Sequence, residues 1–504
     1  MQRSVTLGGR RRMAALLSRL EQKVGQQGDG PRLDRRNRRT WRQMVWGVAV
    51  ARSTRLLALA RVVAPQRRAN SVKATAQGLS YFLAEAQAPV APLSTTLLEE
   101  AVRTIDPERL VCYKGKALVA LDPTEYEKRS RGTGKCGRQM EHIGRVRRSK
   151  TTKSKGRGKG AGKGAGKGAG KGAGKGAGKG TKKGERADSA AHPRSAGRTT
   201  QADTAKIPPK EVATTYGYVD IWAGLVLKGK QFLPLARALF SSRQPGCTSQ
   251  NMVEEAVLAR ALGLLRRVGL AAIVLGDRGV GRKELLIRLA NEEQSYVLRV
   301  DPDITVYPTN ASAADGLLLA DALEQQPWRG EVEWDRGQQG RLRCRLRTLR
   351  AAIRFSRSGR KDDVQEATVT FVQAAPLDGC TDPLVLATTL PVDTVAEARA
   401  IVRLYAQRWA IETGFETMHA WGQDRFMVRR WTAIDRLLWI LAVAYALTVL
   451  ALDDPTLRPF RDQATALLKQ LSVVGDRLTP GKLAEAISLD YQQHQRAWIS
   501  AWLT

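Results

Sequence analysis

Apolar residues in this chain follow strand spacing in some stretches and helix spacing in others. Continuous apolar runs of strand length occupy residues 117–121, 270–275 and 383–390, and such runs are typical of strands buried on both faces. Helical spacing fills residues 250–268 and 283–292. This alternation predicts an α/β core in which helices cover a central sheet.

Strand patterns dominate residues 293–382, which we expect to be a mostly β insertion before a last core strand at 383–390. Alternation within residues 341–347 places four arginines on one strand face, Arg341, Arg343, Arg345 and Arg347. Such a row fits a phosphate backbone, and it equally fits an ordinary solvent-exposed face.

The flanks of this core differ in composition. Residues 1–40 are rich in arginine and predict a disordered basic arm, and residues 41–110 predict a helical DNA-binding domain. A solubilising tail with a packing helix is the alternative for both. Residues 431–504 predict a helical C-terminal region.

Residues 150–206 are of low complexity, with a lysine every fourth residue from Lys159 to Lys179 in a Gly-Ala-Gly background. So much glycine opposes a helix, and nothing apolar is available for burial, so we expect a disordered insert. It either clamps DNA without sequence preference through phosphate contacts or is a neutral repeat expansion.

Charge and cysteine usage narrow the class of protein. The formal net charge of +35 is concentrated at residues 1–68 and 128–210, which carry +14 and +21. This favours a polyanionic partner, most simply double-stranded DNA, over a membrane surface. The five cysteines lack a Cys-x-x-Cys pair, and the apolar run 437–452 is short for a membrane span. We therefore expect a cytoplasmic protein associated with the nucleoid.

Two aspartates follow the predicted central strands. Asp122 comes directly after residues 117–121, in LDPTEYEK, and Asp277 follows the strand at 270–275, in GDRGVGR. The carboxyl ends of strands in an open α/β sheet face the ligand-binding crevice. A turn aspartate before proline is the alternative for Asp122. A phosphate-binding P-loop at 276–281 is excluded because Arg282 stands where the motif requires lysine.

Residues 405–428 predict one helix with an unusual stripe. At about 100° per residue, one face collects five polar side chains, Tyr405, Arg408, Glu412, Glu416 and His419. An apolar stripe that includes Ile411 and Phe415 lies beside it. A solvated amphipathic helix with charge pairs is the alternative interpretation.

The spacing Tyr-x2-Arg-x3-Glu of this helix resembles the signature helix of bacterial insertion-sequence transposases of the DDE class, most closely the insertion-sequence-four family. In that family the pattern continues with x6-Lys, and this chain carries His419 at the position of that lysine. LDPTEYEK and GDRGVGR resemble the motifs that hold the family's two catalytic aspartates. We expect His419, placed near Glu412 and Glu416, to favour its charged form.

The resemblance implies an RNase H-like mixed sheet with a β insertion and helical flanks. It implies Asp122, Asp277 and Glu412 as catalytic residues and ligands of Mg²⁺ or Mn²⁺, ions that prefer carboxylate oxygens. It also implies that Tyr405, Arg408 and His419, together with Arg341, Arg343 and Arg345, contact DNA. Cleavage of element ends and their joining to target DNA would follow, carried out by a homodimer.

Two other functions share these features. A nuclease with this core but without strand transfer would use the same carboxylates, and an inactive architectural DNA-binding protein would explain the lysine repeat and His419. The expected divisions are 1–40, basic arm; 41–110, helical domain; 111–149 and 207–292, first part of the core; 150–206, insert; 293–382, β insertion; 383–430, last strand and signature helix; 431–504, helical region.

Overall fold

The computed structural model describes residues 7–26, 33–64, 69–128, 140–147, 214–246, 249–308, 316–336, 340–356, 363–379, 381–471 and 478–495. The lysine repeat and the rest of the predicted insert at 150–206 lie outside these ranges. Its flanks are described, however. Arg147 and Thr214 are paired across two antiparallel strands, so the chain leaves and rejoins the core at neighbouring positions of one strand pair.

Helices form the N-terminal part of the structure. They are α1 Leu7–Gln26, α2 Arg35–Ala51, α3 Leu56–Val63, α4 Ala69–Ala84 and α5 Val90–Thr104. Residues 7–26, which we assigned to a disordered arm, are therefore helical. Met13, Leu16 and Leu20 are buried at helical spacing, and the neighbouring arginines obscured this apolar stripe in the sequence. The side chain of Asp34 accepts a hydrogen bond from the Asn37 amide and begins α2.

Within the described ranges, thirteen strands form one mixed sheet. They are β1 Cys112–Tyr113, β2 Lys116–Glu127, β3 Gly144–Arg147, β4 Thr214–Leu227, β5 Gln231–Phe240, β6 Ala272–Gly276, β7 Ser295–Arg299, β8 Thr305–Pro308, β9 Leu317–Leu318, β10 Gly330–Asp335, β11 Arg341–Ser356, β12 Val364–Pro376 and β13 Leu384–Thr388. Strands β2, β6 and β7 are parallel neighbours, and β4 and β5 continue the sheet antiparallel beside β2. This order is that of an RNase H-like α/β core, which confirms the predicted fold class.

The boundary of the β insertion differs from the predicted one. Residues 295–299, which we assigned to the insertion, form the parallel strand β7 of the core. Strand β13, which we expected to be the last core strand, pairs antiparallel with β7 and with β12. An apolar run reports burial and carries no information on strand direction, so the sequence alone could not make this distinction.

The remaining helices cover the sheet and complete the C-terminal part. They are α6 Gln250–Arg267, α7 Lys283–Asn291, α8 Leu319–Glu324, α9 Val395–Ala406, α10 Trp409–Ala420, α11 Trp431–Ala451, α12 Arg458–Gln470 and α13 Pro480–Gln493. Among the described residues, α11 alone is long and apolar enough to cross a membrane, and 89% of its most apolar window is buried within the protein. That burial is typical of the core helix of a folded domain.

Candidate active site

Asp122 and Asp277 are brought side by side by the pairing of β2 with β6. The last parallel pair joins Leu121 to Gly276, and each of these residues is followed by one of the aspartates. Strand β2 does not end at Asp122 as predicted, because its antiparallel pairing with β4 continues as far as Glu127. The parallel neighbour β6 is the strand that ends beside Asp122, whose side chain is buried and bonded to Arg408.

Glu412 lies on α10, in a segment whose shape differs from the prediction. The single helix expected over residues 405–428 is two helices, α9 and α10, joined at Gln407 and Arg408. Backbone hydrogen bonds there span three residues, with the Arg408 amide 3.0 Å from the Tyr405 carbonyl, which gives a tighter 3₁₀-like turn. Helix α10 ends at Ala420, just before Gly422 adopts a positive φ of 83°.

The guanidinium of Arg408 joins the first carboxylate to the third. Its Nη1 atom lies 3.3 Å from Oδ2 of Asp122, and its Nη2 atom lies 2.5 Å from Oε1 of Glu412. The ring of Tyr405 is also close, with its centroid 5.7 Å from Cζ of Arg408. The tight turn after α9 therefore places Arg408 between strand β2 and helix α10.

The charges of the three carboxylates act on one another. Burial raises the pKa of Asp122 to about 8; the cation of Arg408 opposes this rise, and the negative charges of Asp277 and Glu412 add to it. Burial likewise raises the pKa of Glu412, where Arg408 opposes the rise and Asp277 again adds to it. Asp122, Asp277 and Glu412 thus share one electrostatic environment with a surplus of negative charge.

This donor set suits a hard divalent cation, because it consists of carboxylate oxygens whose mutual repulsion a cation would relieve. Across the described ranges, no three His, Cys, Asp or Glu side chains stand in a ready metal-binding arrangement. The guanidinium of Arg408, which lies between Asp122 and Glu412, supplies part of the positive charge that a metal ion would provide. The structure therefore gathers the carboxylates without a finished set of metal ligands.

Residues 246–447 match the family model for the transposase DDE domain. The match supports a DDE-type transposase. It includes Asp277, Tyr405, Arg408 and Glu412, and it begins after Asp122. None of the curated proteins searched matches the chain.

His419 contacts the strand that carries Asp122. Its Nε2 atom lies 3.2 Å from the hydroxyl of Thr124, and its ring centroid lies 6.2 Å from that of Tyr126. Burial lowers the pKa of His419; Asp424 opposes this effect and Arg425 adds to it. The expectation that nearby carboxylates would favour the charged form is therefore wrong for the protein without DNA, because desolvation dominates.

The predicted arginine face lies on β11 and is balanced by acids of β10. Arg343 pairs with Glu331 at 2.8 Å, and Arg341 pairs with Glu333 at 3.6 Å. Arg345 is exposed on the same face. Arg347 departs from the predicted pattern, since it is buried with its guanidinium 4.4 Å from the ring of Trp328. The alternation in sequence predicted which arginines share a face. It did not predict their pairing with acids, because those acids lie on a different strand, β10.

Two groups near the site were missed by sequence reasoning. Glu254 on α6 is 2% exposed, and its charge adds to the rise in the pKa of Asp122. Lys128, at the end of β2, donates hydrogen bonds to two backbone carbonyls, at 2.7 Å to Asp424 and 3.2 Å to Phe426. For Glu254, the only indication in the sequence was a pair of adjacent acids, Glu254 and Glu255, within an otherwise apolar helical pattern.

Proposed function

We propose that this protein is a transposase of the insertion-sequence-four type, which cleaves the ends of a mobile DNA element and joins them to target DNA by divalent-metal-dependent phosphoryl transfer. The observation that carries the proposal is the electrostatic cluster of Asp122 on β2, Asp277 directly after the parallel neighbour β6, and Glu412 on α10, with Arg408 bonded to Asp122 and Glu412. The family match over residues 246–447 agrees with it.

Asp122, Asp277 and Glu412 would hold Mg²⁺ or Mn²⁺. When bound, such ions activate the attacking oxygen and stabilise the leaving oxygen of an in-line phosphoryl transfer. The protein's own groups position the DNA. Arg408 can exchange its carboxylate partners for a phosphate, to which a guanidinium binds with two parallel hydrogen bonds.

Double-stranded DNA is the proposed partner, as element end and as target, and a homodimer is the proposed active form. The +35 net charge supports a polyanionic ligand. Tyr405, Arg408 and His419 would lie near the scissile phosphate. Arg341, Arg343 and Arg345 on β11 would contact the DNA backbone. Arg341 and Arg343 would first exchange their pairs with Glu333 and Glu331 for phosphates.

The test compares Asp122→Asn, Asp277→Asn and Glu412→Gln with the parent protein. Each variant removes a negative charge with little change in shape, so Mn²⁺-dependent nicking of element-end DNA should be lost while DNA affinity is kept. Glu333→Gln, at an exposed position of the insertion, is the matched control and should nick normally.

Two results would contradict the proposal. Nicking by a variant that lacks all three carboxylates would exclude this site. Nicking by the parent without any joining to a second duplex would identify a nuclease instead of a transposase.

A further inference from the structure

The loop that carries Asp277 shapes the position of its carboxylate. Oδ1 of Asp277 accepts hydrogen bonds from the amides of Gly279 and Val280, at 3.0 and 3.3 Å. The amides of Val280 and Gly281 also bond to the Asp277 carbonyl, each at 3.1 Å. The direction in which the carboxylate points therefore depends on the conformation of residues 277–281.

One side of this loop is packed against the end of β7. A side chain at Gly281 would meet the carbonyl oxygen of Arg299 at 1.9 Å, so the two backbones approach as closely as glycine allows. This contact fixes the loop from the side of the sheet and leaves its other side to be held by side chains.

The other side of the loop is held by Arg282. Nη1 of Arg282 donates to the carbonyl of Gly279 at 2.9 Å and also to Oε2 of Glu254. Glu254 is almost fully buried on α6, and its second oxygen accepts a hydrogen bond from Gln250 at 2.9 Å. One guanidinium thus connects the Asp277 loop to a fixed carboxylate on the helix behind it.

We propose that Glu254 and Arg282 are positioning residues that orient the carboxylate of Asp277 for cation binding. The proposal rests on the carboxylate site proposed above. Glu254 lies close enough to that site for its charge to act on Asp122, yet it is paired with Arg282 and acts through the loop. Partners that orient metal ligands change metal affinity or activity by about 10–100-fold when they are mutated.

A neighbouring ion pair provides a matched control. Arg288 on α7 pairs with Glu255 on α6 at 2.8 Å. This pair joins the helix that carries Glu254 to the helix that follows the loop. Arg288 resembles Arg282, the residue just before α7, in pairing with an acid of α6, and Glu255 also lies 3.7 Å from Nη2 of Arg282. Arg288 differs in that it pairs with Glu255 and Glu292 and not with the Asp277 loop.

The experiment measures Mn²⁺ binding to the full-length protein by electron paramagnetic resonance, in the parent and in Glu254→Gln, Arg282→Lys and Arg288→Gln. We expect the Mn²⁺ dissociation constant to rise by about 10–100-fold in the first two variants and to stay at the parent value in Arg288→Gln. The Mn²⁺ concentration for half-maximal nicking should rise in parallel. The rate at saturating Mn²⁺ should change less, because bound metal restores the carboxylate geometry.

Parent-like Mn²⁺ binding by both Glu254→Gln and Arg282→Lys, with intact folding by circular dichroism, would overturn the positioning role while leaving the proposed function in place. If Glu254→Gln fails to fold, Arg282→Lys decides alone, since it keeps the positive charge and loses the fixed, planar N–H directions with which the guanidinium bonds to Gly279 and Glu254. Parent-like Mn²⁺ binding by Asp277→Asn would instead overturn the carboxylate site itself.

Discussion

The Nη1 atom of Arg408 lies 3.3 Å from Oδ2 of Asp122, and the two side chains are only 9% and 12% exposed. They are 286 residues apart in the chain. The same guanidinium reaches Glu412, which makes Arg408 the counter-ion of the carboxylate cluster in the absence of metal. Arg408 and the proposed divalent cation would therefore be alternative ways of balancing the same buried negative charge.

Replacing Arg408 with glutamine should destabilise the metal-free protein, because removal of one partner from a buried ion pair costs about 3–5 kcal/mol. Added Mn²⁺ should then raise the melting temperature of Arg408→Gln more than that of the parent, since the metal takes over the lost compensation. Differential scanning calorimetry with and without Mn²⁺ measures both effects. Arg343→Gln removes an exposed pair with Glu331 and should change stability little. Equal Mn²⁺ shifts in the parent and Arg408→Gln would contradict this exchange of counter-ions.

Lys128 should make the stability of the protein depend on pH. Burial lowers its pKa to about 7, and its Nζ atom lies 3.2 Å from the centroid of the Phe426 ring. The pKa of lysine in an unfolded chain is near 10.5. Between these two values the unfolded chain binds more protons, so the free energy of unfolding contributed by Lys128 increases as pH rises, by at most about 1.4 kcal/mol per pH unit.

Urea unfolding at pH 7, 8 and 9 tests this linkage. Lys128→Met keeps the aliphatic stem without the titrating group and should show a smaller increase in the free energy of unfolding across this range than the parent. Lys230→Met is the control, because Lys230 is exposed and pairs with Asp335 at the surface. The same increase in all three proteins would show that Lys128 does not titrate near neutral pH.

The sequence predicts those parts of the site that leave a local pattern of apolar and polar residues, and it does not predict contacts between distant segments. The apolar runs before Asp122 and Asp277 reported burial correctly, and the parallel pairing that sets them side by side is a consequence of the predicted α/β order. Contacts between distant segments, such as Arg408 with Asp122 or Arg282 with Glu254, leave no local pattern. Helical periodicity also continued across Gln407, because both sides of the tight turn keep helical backbone angles.

His419 should behave as a neutral side chain at pH 7. Its pKa is lowered by burial, with Asp424 and Arg425 acting in opposite directions, so it binds its proton less readily than the same residue in the unfolded chain. Its contribution to stability is therefore complete above the unfolded value of about 6.5 and is lost as pH falls below it. We therefore expect that deprotonation of His419 causes no decrease in the rate of strand joining between pH 6.5 and 8.

Strand-joining rates across that range, in the parent, His419→Gln and His419→Lys, decide the point. Glutamine can keep a hydrogen bond to the Thr124 hydroxyl and should give a pH profile parallel to that of the parent. Lysine places a permanent charge in the half-buried position beside Tyr126 and should lower the melting temperature, because an unpaired charge there is poorly solvated. A joining rate that falls with rising pH in the parent, and stays constant in His419→Lys, would show instead that DNA keeps His419 protonated against phosphate.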